Sequence, residues 1–336
     1  MPSPAASTGT RLPLRACLNV LMLALLLCGI YGRTAAATPS FTVSPQTGQG
    51  QIEFATLQQP SSGSQTCIMP PSTGCPCPGG YCAGASTGTP LYGSADNGAW
   101  TIKCTGCSGN STISITNVSP NCAGVSSISS WSAYYNGSAL SGGGPWTASI
   151  DTTAKSFWLG ATATYSSSVS TPSSCTGTFD ISLTNGATNQ QFSEQVLIGF
   201  DLGLSMTKTS DINFGTVTAA NATTYQISTA GAVSVVSGTG QTIYGSTSAA
   251  NITISGSTSD TITISTGSYN ANNGVTPSNA TCSYNGGAAS YCDAGISVAA
   301  PGAGTTLLLG VNAAADGTQA AGTAAAPTFV VSVTYN

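Results

Sequence analysis

The chain has 336 residues and is sparsely charged, with six Lys and Arg, ten Asp and Glu, no His, 41 Gly and a formal net charge of -4. All arginines (Arg11, Arg15, Arg33) lie near the start, so a form beginning after Ala37 keeps only Lys103, Lys155 and Lys208; such an acidic surface excludes nucleic acid, whose phosphates need a basic face. Without histidine, Ser/His/Asp and Cys/His catalysis and His-ligated metal sites are out of reach.

The first element in chain order is an export signal. Arg11 and Arg15 precede the apolar run from Ala16 to Cys28, and Thr34-Ala35-Ala36-Ala37 follows. Basic, apolar and small residues in that order read as a secretory signal peptide over residues 1–37, cleaved after Ala37. The apolar run is shorter than the roughly 20 residues of a spanning helix. No later segment is apolar enough to span, so the expected mature chain has no membrane span. It passes through the periplasm and ends extracellular or at the cell surface.

The remaining cysteines are Cys67, Cys75, Cys77, Cys82, Cys104, Cys107, Cys122, Cys175, Cys282 and Cys292, an even set that reads as disulfides in an exported chain. Cys282 and Cys292 bracket Ser283-Tyr284-Asn285-Gly286-Gly287, so they are expected to pair across a hairpin. The other eight allow several pairings. Cys104-Thr105-Gly106-Cys107 has redox-type spacing, but a strand pattern follows where a helix N-terminus is needed to lower the thiol pKa. Cys67, Cys75, Cys77 and Cys82 lie in a Pro/Gly loop and read as structural, not as metal ligands. Asp96-Asn97-Gly98 reads as a turn, lacking the alternating oxygen ligands of a calcium loop.

After the signal the chain consists of short alternating stretches broken by Gly, Ser, Asn and Pro, the pattern of an all-β protein built from antiparallel sandwiches. Segments recur in order at a spacing of roughly 150 residues. Ile52-Glu53-Phe54-Ala55-Thr56-Leu57 matches Ile212-Asn213-Phe214-Gly215-Thr216-Val217, and Tyr92-Gly93-Ser94 matches Tyr244-Gly245-Ser246. Thr101-Ile102 matches Thr253-Ile254, Thr112-Ile113-Ser114-Ile115 matches Thr261-Ile262-Thr263-Ile264, and Leu159-Gly160 matches Leu309-Gly310. Thr178 to Thr184 matches Thr328 to Thr334. The expected organisation is two tandem immunoglobulin-like domains. The first covers 38–190, with a Cys-rich insertion (60–90) and an aromatic one (129–147). The second covers 191–336 and opens on a strand with Val196, Ile198, Phe200, Leu202, Leu204 and Met206 on one face.

Met206-Thr207-Lys208-Thr209-Ser210-Asp211-Ile212-Asn213-Phe214-Gly215-Thr216-Val217 and the terminal Phe329-Val330-Val331-Ser332-Val333-Thr334-Tyr335 resemble the opening and closing segments of the bacterial exported family called domain of unknown function 4402. The chain is also similar to spore-coat-U-like subunits of archaic chaperone-usher pili. That resemblance implies immunoglobulin-like sandwiches assembled by strand lending, other surface or pilus subunits and a periplasmic chaperone as partners, and no catalytic residues. It further implies that the second copy exposes a sheet edge for a neighbour's strand, while Pro45 makes the mature N-terminus a poor lender.

All four tryptophans lie in the first copy. Trp131, Tyr134, Tyr135 and Trp146, around a Gly/Ser-rich segment, are the candidate contact patch for a carbohydrate, an apolar surface or a partner; the competing reading buries them in the sandwich. No catalytic, cofactor-binding or metal-binding residues are expected. The functional expectation is an exported, non-catalytic structural or adhesive surface protein, a two-domain pilus-tip-like subunit. The alternative is a secreted glycoside hydrolase, whose chemistry needs only two carboxylates, or a carbohydrate-binding protein. Asp151, Asp180, Glu194 and Asp201 are single acids with no motif around them.

Overall fold

Two apolar cores organise the chain in a computed structural model that describes residues 37–71, 82 and 86–336; the expected signal segment, Cys75 and Cys77 lie outside the described residues. The first unit has twelve strands: β1 (Ser40–Pro45), β2 (Gln51–Gln58), β3 (Ser64–Met69), β4 (Pro90–Tyr92), β5 (Gly98–Thr105), β6 (Ser111–Ser119), β7 (Val125–Tyr135), β8 (Ser138–Leu140), β9 (Trp146–Ala148), β10 (Lys155–Ser166), β11 (Ser173–Asn185) and β12 (Thr188–Asp201). They form two facing sheets, one ordered β1-β5-β10-β7-β8 with β3 also on β10, the other β4-β2-β12-β11-β6-β9. Period-two alternation decides which side chains face inward. Trp100 and Ile102 on β5, Phe157 and Leu159 on β10, Phe179, Ile181 and Leu183 on β11, and Val196, Ile198 and Phe200 on β12 are all buried. Each large apolar side chain removed from water contributes about 1.5–3 kcal/mol.

The second unit repeats the plan with β13 (Ser205–Ser210), β14 (Thr216–Val217), β15 (Ala222–Ile227), β16 (Val233–Gly238), β17 (Thr242–Tyr244), β18 (Ala250–Ser255), β19 (Ile262–Asn270), β20 (Val275–Tyr284), β21 (Ser290–Tyr291), β22 (Ile296–Val298), β23 (Thr305–Asp316) and β24 (Thr328–Tyr335). One sheet runs β13-β18-β23-β15-β16 and carries β20 and β21; β22-β19-β24 and the pair β14-β17 complete the unit. Its core gathers Ile252, Ile254, Ile262, Ile264, Leu307 and Leu309.

Strand pairing reproduces most of the internal repeat. Thr56 faces Tyr92 as Thr216 faces Tyr244, Glu53 bridges Asp96 as Asn213 bridges Ser248, and Gly98 faces Leu159 as Ala250 faces Leu309. Backbone conformation repeats as well: Ala55 (φ 60°) within β2 and Gly215 (φ 66°) just before β14 make the same left-handed step. The terminal match slips, however. Ile113 faces Leu183, whereas its counterpart Ile262 faces Tyr335, two residues beyond the partner that sequence matching assigns.

Several expectations change. The single strand expected through Met206 is two strands, because β12 ends at Asp201 and β13 begins at Ser205; Leu202 and Met206 are exposed, at 37% and 46%. The join between units therefore falls at Leu202-Gly203-Leu204, not between residues 190 and 191. A hairpin holds β12 in the first unit: Asn185-Gly186-Ala187-Thr188 turns the chain straight back, so β12 pairs with β11 from Thr188 to Phe200 and also with β2. At the break, a Cβ on Gly203 would meet the Gln58 amide at 2.4 Å. The sandwiches are antiparallel as expected, and among the described strand pairs β2–β12 alone is parallel. Asp96-Asn97-Gly98 is not a turn but the extended entry into β5.

Because the cores are separate, replacing Trp100, whose ring packs edge-on against Phe179, by Ala should destabilise only the first unit. We expect a loss of about 3–5 kcal/mol, seen in calorimetry as one shifted transition beside an unshifted one.

Candidate functional site

One difference between the two units opens a site. In the first, β12 lies between β2 and β11 and joins them into one sheet. In the second, the corresponding strands β14 and β24 lie in separate sheets, and among the described residues no strand lies between them. The effect on burial is direct. Phe54, Phe179, Ile181 and Leu183 in the first unit are completely buried, whereas Phe214, Phe329, Val331 and Val333 in the second are only partly covered. No residue of β24 is fully buried, although its side chains alternate between half-covered and exposed.

The space left is a groove of two adjoining cavities, of about 530 and 580 Å³, which share Phe214, Gly215, Ala313, Ala325 and Pro327 as lining. Its floor is apolar, with Ile252, Leu309 and Val311 beneath one half and Tyr225 beneath the other. One rim is β24, whose backbone pairs only with β19 among the described residues. Asn273 and Asn272 pin the loop before β24 through hydrogen bonds with Ala324 and Ala326. Such a site offers a row of backbone donors and acceptors beside an uncovered apolar floor, the chemistry that takes an extended strand.

At the join between units the polar contacts are dense. The Tyr92 hydroxyl lies 2.6 Å from a carboxylate oxygen of Asp201 and 2.6 Å from one of Asp260, and its ring packs against Tyr335 at 5.1 Å. Tyr335 donates to the Leu202 carbonyl and accepts from the Ser257 amide, both at 2.6 Å. Burial, then the two carboxylates, pushes the Tyr92 hydroxyl far above its usual pKa. Burial opposes ionisation of Asp260, but hydrogen bonds led by Tyr92 and Ser259 outweigh it and hold its carboxyl below the usual value.

The candidate aromatic patch is not an exposed surface. Tyr135 and Trp146 are buried, at 7% and 2%. Trp131 is half-covered and packs on Phe179 at 5.1 Å, and Tyr134 is half-exposed. The reason lies in the turn of Gly142, Gly143 and Gly144: it folds the chain back so that Trp146 opens β9 opposite Ile113 and donates to the Gly142 carbonyl at 3.0 Å. Burial pushes the Tyr135 hydroxyl up to about 12, with a smaller effect from Asp151, and that hydroxyl has no hydrogen-bond partner in the described structure.

Cys282 and Cys292 form a disulfide across the hairpin of β20 and β21, and Cys67–Cys82, Cys104–Cys107 and Cys122–Cys175 are also bonded. The single acids go to different places. Asp151 bonds Lys155, Asp180 accepts from Ser193 and Asn117, Glu194 is raised by burial, and Asp201 lies at the join. Glu53 and Asp96 were missed in the sequence because 43 residues separate them; the β-bridge brings them together. Burial, then Asp96, raises the Glu53 carboxyl, and burial raises Asp96. Among the described residues no group of three or more His, Cys, Asp or Glu could hold a metal ion.

No family model matches the chain, domain of unknown function 4402 included, and no curated protein matches it. Solved structures similar to it include two chaperone–adhesin complexes. One is the complex of a chaperone with a tip adhesion subunit, CsuC-CsuE, from archaic chaperone-usher Csu pili of Acinetobacter baumannii, at 10% identity and a TM-score of 0.27, covering 88% of this chain and 100% of that one. The other is a chaperone–tip adhesin complex of CFA/I fimbriae biogenesis, at 8% identity and a TM-score of 0.26, covering 87% of this chain and 98% of that one.

Two outcomes test these placements. Tyr135→Phe should stabilise the first unit by about 1 kcal/mol by removing an unpaired buried hydroxyl, and Tyr135→Ser should cost about 3 kcal/mol, both read in denaturant melts. Because the raised Glu53 carboxyl binds its proton more tightly when folded, its contribution is present below pH 4.5 and is lost as pH rises through the folded value. Glu53→Gln should thus raise the first melting temperature by roughly 2 °C at pH 7 and leave it unchanged at pH 3.

Proposed function

We propose that the chain is an exported, non-catalytic structural or adhesive surface protein: a two-unit, pilus-tip-like subunit whose second unit accepts a strand from a neighbour. One observation carries this reading, the groove between β14 and β24 where the first unit holds β12. Among the described residues the first unit offers no unpaired strand. Its own β12 closes it, and β1 at the start of the described chain is paired with β5 from Ser40 to Pro45, with Phe41 buried. A subunit that accepts without lending belongs at an end of an assembly. A periplasmic chaperone and then another subunit are the partners this reading assigns to the groove, and the first unit is left to meet a target.

A synthetic peptide copying Thr188–Leu202 tests the reading, since β12 fills the equivalent place. At a hundredfold excess over its Kd it should raise the melting temperature of the second unit by about 5–10 °C. The same peptide with Val196, Ile198 and Phe200 replaced by Ser should have no effect. An unchanged melt with the first peptide would remove the strand-accepting role.

A further inference from the structure

We propose that the join between the two units is the pattern for a second join at the far end of the second unit. There Tyr244 would receive a carboxylate carried by the strand that fills the groove, and the partner is a β-unit that enters behind that strand. This rests on the strand-accepting reading of the groove.

The internal repeat supplies the argument. Tyr92 faces Thr56, and Tyr244 faces Thr216, in the same register. Each tyrosine precedes a left-handed glycine, Gly93 (φ 88°) or Gly245 (φ 103°), so the two hairpins leave their strands alike. In the first unit, β12 runs parallel to β2 and ends at Asp201 beside Gln58, which delivers the Asp201 carboxylate to the Tyr92 hydroxyl at 2.6 Å. The chain then enters the second unit, whose Asp260 takes the same hydroxyl and whose Tyr335 covers the ring.

An occupant of the second groove running parallel to β14 would leave that groove beside Tyr244. Tyr92 is half-buried by its cover from the following unit. Tyr244 lines the groove mouth and has no such cover: it is 72% exposed and its neighbour Ile243 56%. The occupant therefore carries an acid immediately after its last inward aromatic residue, as Phe200-Asp201 does, and the body behind it supplies further cover to the Tyr244 ring.

The test is a double-mutant cycle with a fluorescently labelled Thr188–Leu202 peptide and the oxidised full chain, read by anisotropy. Tyr244→Phe in the protein, or Asp201→Ala in the peptide, should each weaken binding about tenfold, as expected for a hydrogen bond to a charged group, and the two together should weaken it no further. Equal Kd values for Tyr and Phe at 244, or additive losses, would overturn the proposal while leaving the groove reading intact. Failure of every peptide to bind would overturn both. Because Tyr244 is exposed, the Tyr244→Phe chain should melt as the parent does, which shows that any loss of binding comes from the hydroxyl.

Discussion

A β-sandwich covers its core only when the central strands of its sheets are paired on both sides, and in the first unit of this protein that depends on β12. It pairs with β11 from Thr188 to Phe200 and lies parallel to β2 on the other side, placing Val196, Ile198 and Phe200 in the core of the first unit. Phe54 and Phe179 on the strands either side of it, and Trp100 in the facing sheet, are buried in the same core. Each contributes a few kcal/mol of transfer free energy. The same strand carries the chain into the second unit, so the closure of one unit and its connection to the next are one element.

The second unit shows the condition unmet. Its sheets, hairpins and left-handed steps repeat those of the first, yet Phe214, Phe329 and Val331 line a groove instead of a closed core. Open edges with apolar floors favour pairing with another chain. Disulfides reinforce both units without closing the groove: Cys282–Cys292 ties β20 to β21, across the sandwich from β24.

The join between the units belongs to the same logic. Tyr92, Asp201, Asp260 and Tyr335 meet there, at the point where β12 leaves the first unit and beside the strand that borders the groove of the second. Among the described residues the ion pairs are Lys155–Asp151 and Lys208–Asp211, both away from this join. Short hydrogen bonds and ring contact hold the join, which orients the second unit's groove relative to the first unit.

Local chemistry made much of this legible in the sequence. Period-two alternation, turn residues and the ordered matches between copies pointed to two β-units, because those signals depend only on a residue and its near neighbours. The inward face of Val196, Ile198 and Phe200 could be read the same way. What alternation could not tell was the partner of that strand: its pattern serves equally well as the close of one sandwich or the start of the next, and only the hairpin at Gly186 and pairing with β2 decided it. Tyr135 and Trp146 were ambiguous for a related reason, since a glycine-rich loop either projects or folds back. The groove was an expectation from resemblance until the tertiary structure placed β14 and β24 in separate sheets. A missing strand leaves no mark on the residues beside it, because an apolar side chain has the same sequence signature whether its neighbour comes from its own chain or from another.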